Sequence, residues 1–130
     1  MKIFVDANVL FSAAYSQKGK TFDLLSLGLH LVTSDYAINE AKKNLAAKRI
    51  TALQALDKLL GPIEIVASIN AESCPIDLPA KDRPIFLAAM KSQATHLLTG
   101  DLKDFGPHMN QPKKSAGIII QTVADFLASL

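Results

Sequence analysis

The sequence predicts a three-layer α/β domain in which helices cover both faces of a five-stranded parallel sheet. Short apolar runs, each of strand length, alternate along the chain with segments of helical periodicity. The runs are apolar at nearly every position, which is typical of strands that are buried on both faces. No repeat, low-complexity block or linker divides the 130 residues, so we expect one domain over residues 1–130.

Composition and charge are those of an ordinary globular protein, with 49% hydrophobic residues, 20% charged residues and a net charge of +2. The single cysteine, Cys74, excludes an internal disulfide and a zinc cluster of several cysteines. Asp6 interrupts the first apolar run, and no run approaches the roughly 18 apolar residues of a membrane span. We therefore expect a cytoplasmic protein that does not contact a membrane.

The first half of the chain is predicted to contain three strands and four helices. Ser34 or Asp35 can cap the helix that follows the second strand, and Gly61-Pro62 ends the helix before the third. In chain order, the predicted elements are strand Lys2–Val5, helices near Val9–Tyr15 and Lys20–Leu27, strand Leu29–Thr33, helices Asp35–Lys48 and Ile50–Leu60, and strand Ile63–Ala67.

The second half begins with an irregular stretch, Ser73–Pro84, which we interpret as a loop within the domain. Asp82 and Pro84 predict the start of the next helix, "RPIFLAAMKSQA", because aspartate caps helices and proline is tolerated in their first turn. The runs "HLLT" and "GIIIQ" predict the fourth and fifth strands. Thr122, with Asp125 three residues on, predicts the cap of a final helix.

Two acids follow predicted strands directly. Asp6 follows the first strand, and Asp101 follows the fourth by way of Thr99-Gly100. In an open parallel sheet, ligands bind beyond the carboxyl ends of the strands, where the strand order reverses. If the first and fourth strands are neighbours at that point, Asp6 and Asp101 lie close together.

Two further acids reach the same edge on helices. Asp82 stands at the start of the helix that leads into the fourth strand, and Glu40 lies in the second turn of the helix after the second strand. Four carboxylates in one small volume repel each other unless a proton or a cation intervenes. Hard divalent cations prefer oxygen ligands, so we expect a Mg²⁺ or Mn²⁺ site, with Asp6 and Asp101 as its central ligands.

Each acid except Asp6 also has an ordinary structural interpretation. Asp82 could serve only as a helix cap, Glu40 could pair with Lys43, and Asp101 could be a turn residue. An acid at the end of a buried first strand has no such common structural role, so Asp6 favours a functional site. If the four acids share a cation, the rest of the surface carries a net charge of +6, which suits a polyanion.

Four segments in order, "KIFVDANVLFSA", "SDYAINEAKKNL", "KDRPIFLAAMKSQATHLLTGD" and "GIIIQTVADFL", make the chain similar to the PIN domain, the PilT amino-terminal-like nuclease family that includes bacterial VapC-type toxins. The resemblance implies a five-stranded parallel sheet, Mg²⁺ or Mn²⁺ in an acidic pocket, and hydrolysis of single-stranded RNA. Carried over, the catalytic and metal-binding acids are Asp6, Glu40, Asp82 and Asp101.

Two neighbouring residues are implied to support these acids. Asn8 would hydrogen-bond Asp6 or the attacking water, and Asp104 would be a fifth acid that acts from outside the ligand set. Ala7 departs from the family pattern, because many members have a hydroxyl residue there. The implied chemistry is that of a metal-dependent endoribonuclease, in which a metal-bound water attacks the phosphodiester.

Basic residues near the predicted pocket could bind the RNA backbone. The candidates beside the proposed pocket are Lys81, Arg83 and Lys103, and the last two each lie within two residues of a proposed ligand. Lys43 lies on the helix of Glu40, as do Lys42, Lys48 and, just beyond it, Arg49. Tyr15 could stack on a base. A toxin further implies a small antitoxin that covers the pocket, and homodimerisation.

Other functions fit the sequence less well. A haloacid-dehalogenase-like phosphatase needs an acid two positions after its nucleophile, where this chain has Asn8, and no glycine-rich loop indicates a nucleotide cofactor. The alternative that stays open is a non-catalytic PIN-like module that binds RNA or a protein. The gathering of four acids favours the nuclease.

Overall fold

The computed structural model describes residues 1–69 and 73–130, and these form the predicted three-layer α/β domain. Five strands make one sheet with the order β3-β2-β1-β4-β5, and every neighbouring pair is parallel. The strands are β1 (Lys2–Val5), β2 (His30–Ser34), β3 (Glu64–Val66), β4 (His96–Leu98) and β5 (Ile119–Gln121).

Within the described residues, six α-helices connect and cover the strands: α1 (Ala7–Tyr15), α2 (Lys20–Leu25), α3 (Asp35–Lys48), α4 (Leu53–Leu60), α5 (Arg83–Lys91) and α6 (Val123–Ser129). Ser34 and Thr122 cap α3 and α6, because their side chains accept hydrogen bonds from the backbone N–H groups of Ala37 and Asp125. Among the described residues, no helix combines the length and the apolar character that a bilayer crossing requires.

Several predicted boundaries shift for local reasons. Helix α1 begins two residues early because Asp6 caps it. The predicted helix Ile50–Leu60 opens with a 3₁₀ turn, Ile50–Ala52, and becomes α-helical only at Leu53. Helix α5 stops at Lys91, short of the predicted end, because Gln93 adopts a left-handed φ of 59°. A second 3₁₀ turn, Gly106–His108, was not predicted.

Strand β1 lies at the centre of the sheet and is buried on both faces. Ile3, Phe4 and Val5 are fully buried, so helices cover this strand above and below. The apolar stripe of α4 contributes to the same core: Leu56 is fully buried, and Leu53 packs against the core from its margin. Burial of each such side chain stabilises the fold by about 1.5–3 kcal/mol.

The strand order confirms that β1 and β4 are neighbours. Val5 pairs with Leu98 at their carboxyl ends, and the next backbone N–H, that of Asp6, donates to the Leu98 carbonyl at 3.0 Å. The order reverses between these two strands, since β2 and β3 extend on one side and β5 on the other. The loops after β1 and β4 therefore open at the expected ligand-binding edge.

Candidate metal centre

A cavity of about 480 Å³ opens at this edge of the sheet, and we call it the acidic cavity. All four acids that the sequence predicts as ligands line it: Asp6, Glu40, Asp82 and Asp101. The ends of β1 and β4 position two of them, and helices α3 and α5 position the others. Other residues that line it are Ala7, Asn8, Phe11, Asn44, Lys48, Lys81 and Gly100.

The tightest carboxylate group in the described residues consists of Asp82, Asp101 and Asp104. One oxygen atom from each lies within 4.8 Å of the others. Asp104, expected only in a supporting role, thus lies as close to Asp82 and Asp101 as a ligand would. Asp6 and Glu40 line the same cavity but stand outside this group of three.

Asp82 is the buried member of the group. It occupies the cap position of α5, but its side chain makes no capping hydrogen bond to the described residues. Its Oδ2 atom is buried and has no hydrogen-bond partner in the described part of the chain. Burial, together with the adjacent carboxylate of Asp104, raises the pKa of Asp82 to about 7. An unpartnered buried carboxylate is costly, which is the condition that a bound cation relieves.

The pKa of Asp104 is shifted in the opposite direction from that of Asp82. Its interaction with the Asp82 carboxyl lowers the pKa of Asp104, and the Lys81 ammonium, 3.3 Å from its Oδ2, lowers it further. Tyr36 fixes the backbone beside this pair, because its hydroxyl donates to the Lys81 carbonyl at 2.7 Å. The loop that enters α5 is therefore anchored on α3.

Asp6 is buried and surrounded by hydrogen-bond donors. Its Oδ1 accepts from the Ala7 N–H at 2.6 Å, and its Oδ2 accepts from the Thr99 hydroxyl at 2.8 Å. Burial nevertheless outweighs these bonds and, with the nearby carboxylates of Glu40 and Asp101, raises the pKa of Asp6 to about 6. The donors hold this carboxylate in one orientation at the cavity wall.

Asn8 joins the two loops that carry Asp6 and Asp101. Its amide nitrogen donates to Asp6 Oδ2 at 3.2 Å and to Thr99 Oγ1 at 3.1 Å. Its amide oxygen accepts from the Gly100 N–H at 2.7 Å. The approach is close, because a Cβ on Gly100 would lie 3.3 Å from that oxygen.

Thr99 is a site residue that the sequence analysis missed. It is fully buried, and its hydroxyl oxygen also accepts from the Asp101 N–H at 3.1 Å. The available signal was the same one that marked Asp6, namely a polar residue at the end of an apolar strand. Thr99 thus connects the two acids that we expected to be neighbours.

The residues present fit a hard divalent cation. The donors that converge here are carboxylate oxygens, which Mg²⁺ and Mn²⁺ prefer, and three of them lie within one ion's reach of each other. The Asp82 Oδ2 atom has no hydrogen-bond partner in the described part of the chain, and burial is the main cause of the raised pKa values of Asp6 and Asp82, so an anionic carboxylate is costly at both positions. Cysteine and histidine do not line the cavity in the described residues.

The basic residues that the sequence suggested lie in different places around the site. Lys48 and Lys81 line the acidic cavity, whereas Lys103 does not line it in the described part of the structure. Lys43 lines a further cavity along α3, which shares Glu40 with the acidic cavity. Arg83 is turned back on its own loop, where its Nε donates to the Leu78 carbonyl at 3.1 Å.

The fold is similar to that of solved VapC and PilT N-terminus structures. VapBC2 from Rickettsia felis, in a structure bound to a DNA fragment from their promoter, superposes with a TM-score of 0.66 at 16% identity, over 94% of this chain and 98% of that one. The sarcin-ricin loop cleaving toxin VapC20 of Mycobacterium tuberculosis gives a TM-score of 0.62 at 13% identity, over 82% and 94% of the two chains.

A PilT N-terminus domain protein from the hyperthermophilic archaeon Sulfolobus solfataricus gives a TM-score of 0.61 at 15% identity, over 99% of this chain and 92% of that one. No family model and no curated protein matches the chain by sequence. The fold that the resemblance implied is confirmed: this chain has the fold of VapC and PilT N-terminus proteins along nearly its whole length.

Proposed function

We propose that this protein is an endoribonuclease that uses Mg²⁺ or Mn²⁺ to hydrolyse phosphodiester bonds in single-stranded RNA. The observation that carries the proposal is the convergence of Asp82, Asp101 and Asp104 beside a cavity that Asp6, Asp82 and Asp101 line. A module that only binds gains nothing from carboxylates that repel each other and the phosphates of RNA. A hydrolase gains a site for the cation that the reaction needs.

Each acid has a distinct part in this proposal. Asp82, Asp101 and Asp104 would hold the cation, with Asp6 and Glu40 completing the site directly or through water. The cation, when bound, activates a water molecule and offsets charge on the phosphate. Asp6 stays in one orientation because Ala7 and Thr99 donate to it.

Two lysines in the acidic cavity complement the substrate. Lys48 and Lys81 lie among the carboxylates, so phosphate oxygens next to the scissile bond would meet ammonium groups. Asn8 fixes the loops of Asp6 and Asp101 relative to each other, because it donates to the Asp6 carboxylate and accepts from the Gly100 N–H.

The choice of RNA, and of a toxin role, is supported by the proteins that share this fold. VapC20 is a toxin that cleaves the sarcin-ricin loop, and VapBC2 is a toxin and antitoxin pair. By the same likeness we propose a small antitoxin that covers the acidic cavity, a homodimer, and action in the cytoplasm. Co-expression of the protein from the neighbouring gene should suppress cleavage if the two form such a pair.

The test is cleavage of an unstructured RNA by purified protein with Mn²⁺, compared with the same reaction in chelator. We expect Asp6→Asn to slow cleavage at least ~100-fold, since it removes a charged site group. Asp57→Asn is the matched control, because it makes the same change on the exposed surface of α4. Cleavage that persists in Asp6→Asn would indicate a contaminant. Tight RNA binding without cleavage under either metal would establish the binding module instead.

A further inference from the structure

A second cavity, of about 470 Å³, lies beyond the end of α1, and we call it the basic cavity. The charged side chains that line it within the described residues are Lys18 and Arg49, and neither forms an ion pair there. Ser16, Gln17 and Thr51 add neutral hydrogen-bonding groups. The basic cavity therefore suits an anionic ligand that also carries hydrogen-bond donors and acceptors.

A continuous surface joins the two cavities. Glu40, Asn44 and Lys48 recur every four residues, so they share one face of α3, and all three line the acidic cavity. Their charge changes along that face from negative to neutral to positive. Arg49 follows Lys48 directly and opens into the basic cavity.

Helix α1 supplies the aromatic side of this surface. Phe11, which lines the acidic cavity, stacks on Tyr15 of the basic cavity, with ring centroids 5.4 Å apart. Lys48 lies over the Phe11 ring at 5.7 Å. About one helical turn separates the two rings along the axis of α1.

Two contacts with Tyr15 hold the Arg49 side chain in place. Its guanidinium lies 5.1 Å from the Tyr15 ring centroid, and its Nη1 donates to the Tyr15 carbonyl at 3.0 Å. These contacts occupy one edge and one face of the guanidinium, and they leave the group exposed in the cavity. A planar guanidinium fixed in this way binds a phosphate through its free N–H groups or stacks on a base.

We propose that the basic cavity is a nucleotide-binding subsite for single-stranded RNA, which binds a part of the strand outside the bond that is cut. Arg49 and Lys18 bind the phosphate, Gln17 and Thr51 face the base, and Tyr15 positions Arg49. This subsite rests on the proposed ribonuclease function and extends it. Tyr15 acts through Arg49 here, rather than as the base-stacking ring that the sequence suggested.

The test measures equilibrium binding of a fluorescein-labelled single-stranded RNA of about eight nucleotides, with Ca²⁺ in place of Mn²⁺ to limit cleavage. We expect Arg49→Ala to weaken binding about 10-fold and to lower the slope of log K against log salt by about 0.7. Arg49→Lys should keep the slope. Tyr15→Leu should weaken binding, whereas Tyr15→Phe should not.

Lys91→Ala is the matched control, since Lys91 is exposed at the far end of α5 and lines neither cavity in the described structure. If thermal melting shows that Arg49→Ala is not folded, Lys18→Ala tests the same cavity. RNA affinity equal to wild type in Arg49→Ala or Lys18→Ala overturns the subsite. So does a loss confined to binding of a partner protein, which would make the cavity a protein-docking site.

The two proposals fail in different ways. Efficient cleavage that does not depend on Arg49 at low substrate concentration removes the subsite and leaves the nuclease. Arg49-dependent RNA binding by a wild-type protein that never cleaves removes the nuclease and leaves the subsite.

Discussion

The Thr99 hydroxyl donates a hydrogen bond to Asp6 Oδ2 at 2.8 Å, across 93 positions of sequence, and this bond links the ends of the two central strands. Both residues are buried, so the bond stabilises a carboxylate in a poorly solvated place. It also orients the acid toward the cavity.

Replacing Thr99 by valine should keep the shape of the side chain and remove the donor. We expect a loss of about 1–3 kcal/mol in the free energy of unfolding at neutral pH, because the buried Asp6 carboxylate loses a partner. Urea denaturation measures this loss. Thr21→Val on α2 is the control, and equal stability of the two variants would show that the bond contributes little.

Asn8→Ala should weaken metal binding by about 10-fold, because the Gly100 N–H and the Asp6 carboxylate lose the group that connects them. Titration of Mn²⁺ by calorimetry gives the affinity. The exposed Asn39→Ala on α3 should bind Mn²⁺ as the wild type does. Unchanged affinity in Asn8→Ala would mean that the two loops hold their positions without it.

Gly100→Ala should lower Mn²⁺ affinity and cleavage several-fold while the protein stays folded. The new Cβ would lie 3.3 Å from Asn8 Oδ1, so the amide must move away from its bonds. Gly106→Ala is an apt comparison, since its Cβ would meet nothing within 4 Å in the described structure. If both variants cleave RNA equally well, the close contact between Gly100 and Asn8 Oδ1 does not contribute to activity.

Stability without metal should fall as the pH rises from about 4 to about 7. The pKa values of Asp6, about 6, and Asp82, about 7, lie above their ordinary value of 3.8. In that window the folded protein keeps protons that the unfolded chain has released, so raising the pH favours unfolding. Mn²⁺ displaces the same protons, so its stabilising effect should be largest above pH 7 and fade as the pH falls through 6.

Thermal melts at several pH values, with Mn²⁺ or chelator, check both trends. His96 opposes the decline in stability with rising pH. Burial lowers its pKa, so the unfolded chain binds more protons at this residue than the folded protein does, and raising the pH favours folding. The variant Asp82→Asn separates the contribution of Asp82 to this pH dependence from that of Asp6. In chelator it should flatten the decline in stability between pH 5 and 7, and an identical pH profile in wild type and variant would contradict the assignment to Asp82.

Asp82→Asn should also unfold less readily than the wild type at pH 8 in chelator, by about 1 kcal/mol. It removes a buried negative charge whose Oδ2 has no partner among the described residues. The variant should lose the stabilisation that Mn²⁺ gives the wild type. Urea denaturation at pH 8, with and without Mn²⁺, measures both effects, and a destabilised variant in chelator would show that the carboxylate has a structural partner.

Local patterns determined most of the fold and predicted two of the three members of the carboxylate group, Asp82 and Asp101, as ligands. Apolar runs of strand length, caps such as Ser34 and the alternation of strands and helices are properties of neighbouring residues, so they can be inferred without coordinates. Asp6 and Asp101 were identifiable because each directly follows a strand. The sequence also placed all four predicted acids at one edge, through the topology of a parallel sheet.

Only the tertiary structure decided which groups lie within bonding distance. It brought Asp104 to Asp82, made Thr99 the link between Asp6 and Asp101, and turned Arg83 back toward Leu78 while Arg49 settled on Tyr15. The direction of a side chain depends on the elements packed around it, whereas the period of a helix or strand depends on near neighbours in the chain. For that reason the sequence located the edge of the sheet, and packing selected the side chains that meet there.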